Sequence, residues 1–222
     1  MSAQSGIIEA IKTGDLARVN ELLEADPTLA ASRNEMGVSA IMLATYYGRD
    51  KIAEVLLERA VALDIFEAAA VGHTERVKEI LRQQPEMVNH YADDGFTALG
   101  LASFFCRGTV ARLLIEKGAD VNAASKNRQQ VTPLHSAVSR RQTMIAEALL
   151  AEGANPNAKQ QAGVTPLHQA AHNGHAEMVK LLLAHGADPH ARMDDGRTPL
   201  AMAIETGKRE VINLLREKDA TA

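Results

Sequence analysis

The stretch Thr165-Pro166-Leu167-His168-Gln169-Ala170-Ala171-His172-Asn173-Gly174 decides the fold. Thr165 offers a hydroxyl that can cap a helix, and Pro166 stands at the first helical position, where its missing N–H costs nothing. A short helix is expected from there, and Gly174 ends it by supplying a left-handed residue. A second helix is expected from about Ala176 to His185, with Val179, Leu182 and Leu183 on one face, and Gly186 stops it. Between such helix pairs the chain is rich in Gly, Asn, Asp and Pro, the residues of turns.

The same unit returns along the chain. Thr132-Pro133-Leu134-His135 precedes the quoted motif and Thr198-Pro199-Leu200-Ala201 follows it at the same interval. Weaker copies stand at Thr97-Ala98-Leu99-Gly100 and Ser39-Ala40-Ile41-Met42, and closures of the second helix recur at Gly118-Ala119-Asp120, Gly153-Ala154-Asn155 and Gly186-Ala187-Asp188. The inter-helix positions are Gly14, Gly48, Gly72, Cys106, Arg141, Gly174 and Gly207, a regular ladder broken by one short step between Gly48 and Gly72. A repeat of this motif, with a period of about 33 residues, resembles that of ankyrin-repeat proteins. The resemblance covers nearly the whole chain. It implies an all-α ankyrin-repeat solenoid of about seven helix-turn-helix units with short β-turn fingers, in a single domain over residues 1–222. The expected units are 4–33, 34–61, 62–91, 92–126, 127–159, 160–192 and 193–222.

Two irregularities refine this reading. The short step centred on Arg59 to Asp64 leaves no room for a turn finger, so one finger should be missing. A single shift of the chain along itself superposes Arg18 on Arg76, Pro27 on Pro85, Gly37 on Gly95 and Leu56 on Leu114. The N-terminal half thus reads as a duplicated two-repeat module, similar to the layout of many bacterial members of the family. Solenoid ends need polar faces. Arg216 replaces the internal Leu57, Leu81, Ile115, Leu150 and Leu183, and Ala201 replaces the motif histidine, so the chain is expected to carry its own C-terminal cap.

Composition agrees. Of 222 residues, 46% are hydrophobic but only seven are aromatic, four Phe and three Tyr, so the core is aliphatic and favours helices. One cysteine cannot close an internal disulfide, and Met1 to Gly14 lacks the basic and apolar regions of a signal peptide, so a cytoplasmic location is expected. No apolar run is long enough to span a membrane, and Asp and Glu outnumber Lys and Arg by 28 to 24, which argues against membrane and nucleic-acid partners.

In proteins of the family that this chain resembles, the end of the first helix and the residue before the capping Thr face a concave groove. Tyr46, Tyr47, Phe96, Phe104 and Phe105 map to those positions, five of the seven aromatics. Aromatic anchors dominate many interfaces. The alternative role of the rings is packing against the neighbouring finger. Arg107, Lys126, Arg128, Arg140, Arg141 and Lys159 form a basic group beside them, whose alternative is a solvated face. Asp194, Asp195 and Glu205 reverse the sign farther on. The expected partner is another protein with an acidic and apolar segment, bound at Tyr46, Tyr47, Phe96, Phe104, Phe105, Arg128, Arg140 and His172 by a monomeric chain that needs no cofactor and holds no metal.

A competing reading makes the chain a metal- or thiol-dependent enzyme or sensor. His168, His172 and His175 are spaced at i, i+4 and i+7, but Gly174 interrupts the helix, and the resemblance gives His168 and His175 structural hydrogen bonds. Cys106 stands where a left-handed glycine is expected, either strained or relieved by a turn remodelled on Gly108, and it reads as a small half-buried side chain. No nucleophile elbow, P-loop or dinucleotide fingerprint is present. The chain is expected not to be an enzyme.

Overall fold

The computed structural model describes residues 3–59 and 62–219. Ala60 and Val61, at the centre of the stretch expected to lack a finger, and Ala220–Ala222, the end of the last expected unit, lie outside the described residues. So do Met1 and Ser2.

Among the described residues there are fourteen α-helices. They are α1 (Ala3–Thr13), α2 (Leu16–Ala25), α3 (Ala40–Tyr46), α4 (Asp50–Arg59), α5 (Ile65–Val71), α6 (Thr74–Gln83) and α7 (Ala98–Phe104). There follow α8 (Gly108–Glu116), α9 (Pro133–Ser139), α10 (Thr143–Ala151), α11 (Pro166–Asn173), α12 (Ala176–Ala184), α13 (Pro199–Glu205) and α14 (Arg209–Asp219). Each odd-numbered helix packs on the even-numbered helix after it. The odd helices also stack on one another in chain order, and the even helices do so from α2 to α4 and again from α6 to α14, giving two layers. This is the all-α solenoid expected from the repeat.

The capping residues act as their chemistry dictates. Ser39, Thr97, Thr132, Thr165 and Thr198 each accept a hydrogen bond from the backbone N–H at the third position after them, with proline at the first helical position in α9, α11 and α13. In α9 and α11 the motif histidine completes the cap. With the proton on Nε2, His135 accepts at Nδ1 from Thr132, at 2.8 Å from the hydroxyl, and donates from Nε2 to the Val164 carbonyl at 3.2 Å. His168 does the same with Thr165 and Arg197. Each histidine thereby ties its helix to the following finger.

The core runs the length of the stack. Leu99, Leu134 and Leu167 are wholly buried on the inner helices, among Ala44, Ala69, Ala102, Ala137 and Ala170, whose small side chains let the helices approach closely. The two halves of the N-terminal module share a feature that the shift of Pro27 onto Pro85 anticipates. Pro27–Ala31 and Pro85–Asn89 are both 3-10 turns, and they bury Leu29 and Val88.

The fingers at 32–39 and 90–97 are closed by isolated antiparallel bridges, Arg33 to Ser39 and Tyr91 to Thr97. Between α4 and α5 the connection is only residues 60–64, too short for such a hairpin. No helix among the described residues is long and apolar enough to cross a membrane.

Candidate functional site: an aromatic ridge and a polar cleft

The truncated repeat shapes the inner face. Gly48 follows the capping Ser39 by nine positions and Cys106 follows Thr97 by nine, but Gly72 follows Asp64 by eight. Helix α5 therefore turns one position early and presents Val71, with Ala69 and Ala70 buried behind it, where its neighbours carry paired aromatics. The rings of α3 and α7 meet over this small helix. Tyr46 lies 5.1 Å from Phe105 at a 60° tilt, and Phe105 lies 5.1 Å from Phe104 edge to face. Such geometries add about 0.5–1.5 kcal/mol each beyond burial.

The fingers flanking the gap also come together. The Tyr46 hydroxyl donates to Asp94 at 2.6 Å, and a side chain at Gly37 would lie 3.0 Å from the Asp93 carboxylate. Arg33 reaches the N-terminus of α5, 3.6 Å from Asp64 and 3.7 Å from the buried Glu67. Burial first, then the hydrogen bond and charge of Asp94, raise the Tyr46 pKa well above the ordinary tyrosine value.

Of the two roles considered for the rings, packing is seen for part of the set. Tyr46 and Phe105 pack on each other, and Tyr46 also ties down a finger. Tyr47 is 48% exposed and Tyr46 38%, while Phe96, Phe104 and Phe105 are half-buried.

The basic group is not one patch. The Arg107 guanidinium donates to the Ala70 carbonyl at 2.8 Å and lies over Gly72, so it is committed to the stack. Lys126 sits 4.0 Å above the Tyr91 ring, and Arg140 5.2 Å from the Phe104 ring. Arg128, Arg140 and Lys159 are exposed and have no carboxylate partner among the described residues. The expected reversal of sign is only partly offset, because the single cation Arg197 pairs with Asp195 at 2.8 Å and with Glu205 at 3.2 Å.

The histidine and cysteine expectations are corrected in part. His168 is fully buried with both ring nitrogens engaged, whereas His175 Nδ1 is buried without a partner and makes no structural hydrogen bond there. His172 is exposed on the last turn of α11. Among the described residues no group of three His, Cys, Asp or Glu is placed to hold a metal. Cys106 is exposed, not half-buried. It adopts φ 62° itself, as Arg141 adopts 58°, and Gly108 simply begins α8.

A cleft of about 400 Å3 opens beside Phe104, between the fingers at 124–132 and 157–165. Phe96, Phe104 and Val131 form its apolar wall, and Gln129, Ser136 and Gln169 supply polar groups. Ser136 Oγ and Gln169 Oε1 are buried and make no hydrogen bond. Sequence reading passed over this cleft. A signal existed, since Ser136 and Gln169 each follow the motif histidine at the position where Leu43, Leu101 and Met202 stand in other repeats.

A family model described as Ankyrin repeats (3 copies) matches residues 65–160 and 134–222, well over half the chain. An ankyrin repeat-containing protein of Treponema pallidum is 31% identical over 154 residues, 69% of this chain and 42% of that protein. The target of rapamycin complex 2 subunit AVO2 of Saccharomyces cerevisiae is 29% identical over 157 residues, 65% of this chain and 36% of its own. The human DNA-binding protein RFXANK is 33% identical over 118 residues, 52% of this chain and 45% of its own. The chain spans less than half the length of these relatives.

Proposed function

The chain belongs to the ankyrin-repeat family, whose repeats are protein-interaction modules, and from that premise we propose that it is a non-catalytic adaptor, scaffold or inhibitor. It binds a partner protein through the inner face and the fingers. The observation that carries this reading is the surface from Tyr47 across Phe104 to Arg140, where exposed or half-buried rings lie beside cations that no carboxylate neutralises. Apolar area there is available for burial at about 25 cal/mol per Å2, and the cations select an acidic, apolar segment.

The same reading makes the chain a cytoplasmic monomer that acts without cofactor or turnover, built of the seven units set out above. One relative is by name a subunit of a protein complex, which supports it. Another is named as DNA-binding, but the net charge of -4 here supplies no phosphate-binding surplus.

A pull-down from lysate with the wild type beside Tyr47→Ala/Phe104→Ala tests the reading. These two substitutions leave the Tyr46 to Phe105 and Tyr46 to Asp94 contacts in place, and circular dichroism checks that the variant is folded. A stoichiometric partner held by the wild type and lost from the folded variant supports the inner face. Equal retention by both would place binding elsewhere.

A further inference from the structure

The cleft between the fingers at 124–132 and 157–165 identifies the chemistry of what enters it, given that the inner face is an interaction surface. Ser136 is 1% exposed, yet its Oγ has no partner, and the Oε1 of Gln169 on the next inner helix is also buried and unpaired. Both residues line the same cleft. A buried polar group without a hydrogen bond is costly, and such groups mark places where a partner completes the set.

The walls restrict that partner. Phe96 and Phe104 face the cleft and favour an aromatic ring. The ionisable group in the lining, His135, is spoken for by Thr132 and Val164 and held neutral by burial, so an entering charge would find no counter-ion. Phenylalanine would leave both polar atoms unpaired, and a lysine or carboxylate would be stripped of water. Outside the cleft the chemistry changes. Arg140 lies over Phe104, while Arg128 precedes the lining Gln129 in the chain. At the far rim Asp194 lies against Gly163, so the positive side is the one towards Phe104.

We propose that this cleft receives a tyrosine side chain from an acidic segment of a partner protein, with the ring against Phe96 and Phe104 and the hydroxyl paired with Gln169 and Ser136. Acidic residues flanking the tyrosine lie along Arg128 and Arg140, Lys159 being turned to the Arg192 carbonyl on the far side.

Selection of a random phage-displayed dodecapeptide library on the full chain, followed by fluorescence anisotropy with the enriched peptides, tests this. The expected result is enrichment of peptides with a tyrosine flanked by Asp or Glu. Changing that tyrosine to phenylalanine should weaken binding about fivefold or more on the wild type. The same change should matter less than about twofold on Ser136→Ala/Gln169→Leu, which removes the two unpaired groups and keeps the apolar wall. Enriched peptides without tyrosine, an undiminished tyrosine preference on the double variant, or no enrichment over an uncoated control would each overturn the proposal. If the Tyr47→Ala/Phe104→Ala variant still loses its lysate partner in that event, the cleft assignment alone has failed. If that variant keeps the partner, the inner-face reading has failed with it.

Discussion

Tyr46 and Asp94 are far apart in sequence, yet the hydroxyl of one lies 2.6 Å from the carboxylate of the other. The contact spans the repeat that has lost its finger. Where a finger would hold two neighbours apart, the hydrogen bond and the Tyr46 to Phe105 ring contact join them directly, and Arg33 pairs with the truncated unit itself at Asp64 and Glu67. The truncated unit is therefore a closed joint.

Tyr46→Phe should destabilise the chain by about 1 kcal/mol, below the roughly 1.5–3 kcal/mol of a hydrogen bond to a charged group because the site is partly open to water. Tyr46→Ala should cost more, because the Phe105 contact goes with it. Urea denaturation monitored by circular dichroism checks both. The phenol also gives a pH signature. Its folded pKa is raised above the unfolded value, so its contribution is fully present below pH 10 and is lost as pH climbs towards the folded value. Ultraviolet titration should show one of the three tyrosines ionising late, and Tyr46→Phe should remove that phase.

Cys106→Gly should stabilise the chain by about 0.5–1 kcal/mol, because Cys106 sits in the left-handed region where a Cβ is strained, and the relief exceeds the entropy that glycine adds to the unfolded chain. Its φ is 62°. Arg141→Gly should act alike at φ 58°. Denaturation midpoints of the two single variants and the double variant check this, and a fall in midpoint for Cys106→Gly would show that the turn is not strained.

How far the sequence carries can be judged residue by residue. Thr165, Pro166 and Gly174 act through the local backbone, so their capping roles were legible, and φ 66° at Gly174 follows directly. The superposition of Pro27 on Pro85 implied a shared local structure, and its form, a 3-10 turn in each, came only with the fold. The same shift sets Tyr46 and Phe104 at equivalent positions, which says nothing of the rings that meet, and the contact of Tyr46 with Phe105 depends on the stacking of the repeats. Asp195 and Glu205 read as bare negative charges, but the fold brings both to one cation, Arg197, which offsets half of their charge. The cleft depends on two fingers a full repeat apart, and only the polar residues after His135 and His168 hinted at it.

Stability should fall as the pH drops from about 6.5 to about 4. Burial lowers the His135 pKa to about 4, against an ordinary 6.5, so the unfolded chain binds the proton first. The contribution is whole above pH 6.5, shrinks through that window and is gone below it, a change on the order of 3 kcal/mol. His168 is shifted in the same direction, by burial first. Urea midpoints measured from pH 4 to 7 should slope accordingly, and His135→Gln should flatten the slope. An unchanged slope would assign the effect to other groups.

The claim that the inner face binds protein is tested most directly by hydrogen exchange on the complex with the captured partner. Protection is expected at the ends of α3, α7 and α9 and in the fingers at 90–97, 124–132 and 157–165, with α6, α8 and α10 unchanged. Protection confined to those outer helices would contradict it.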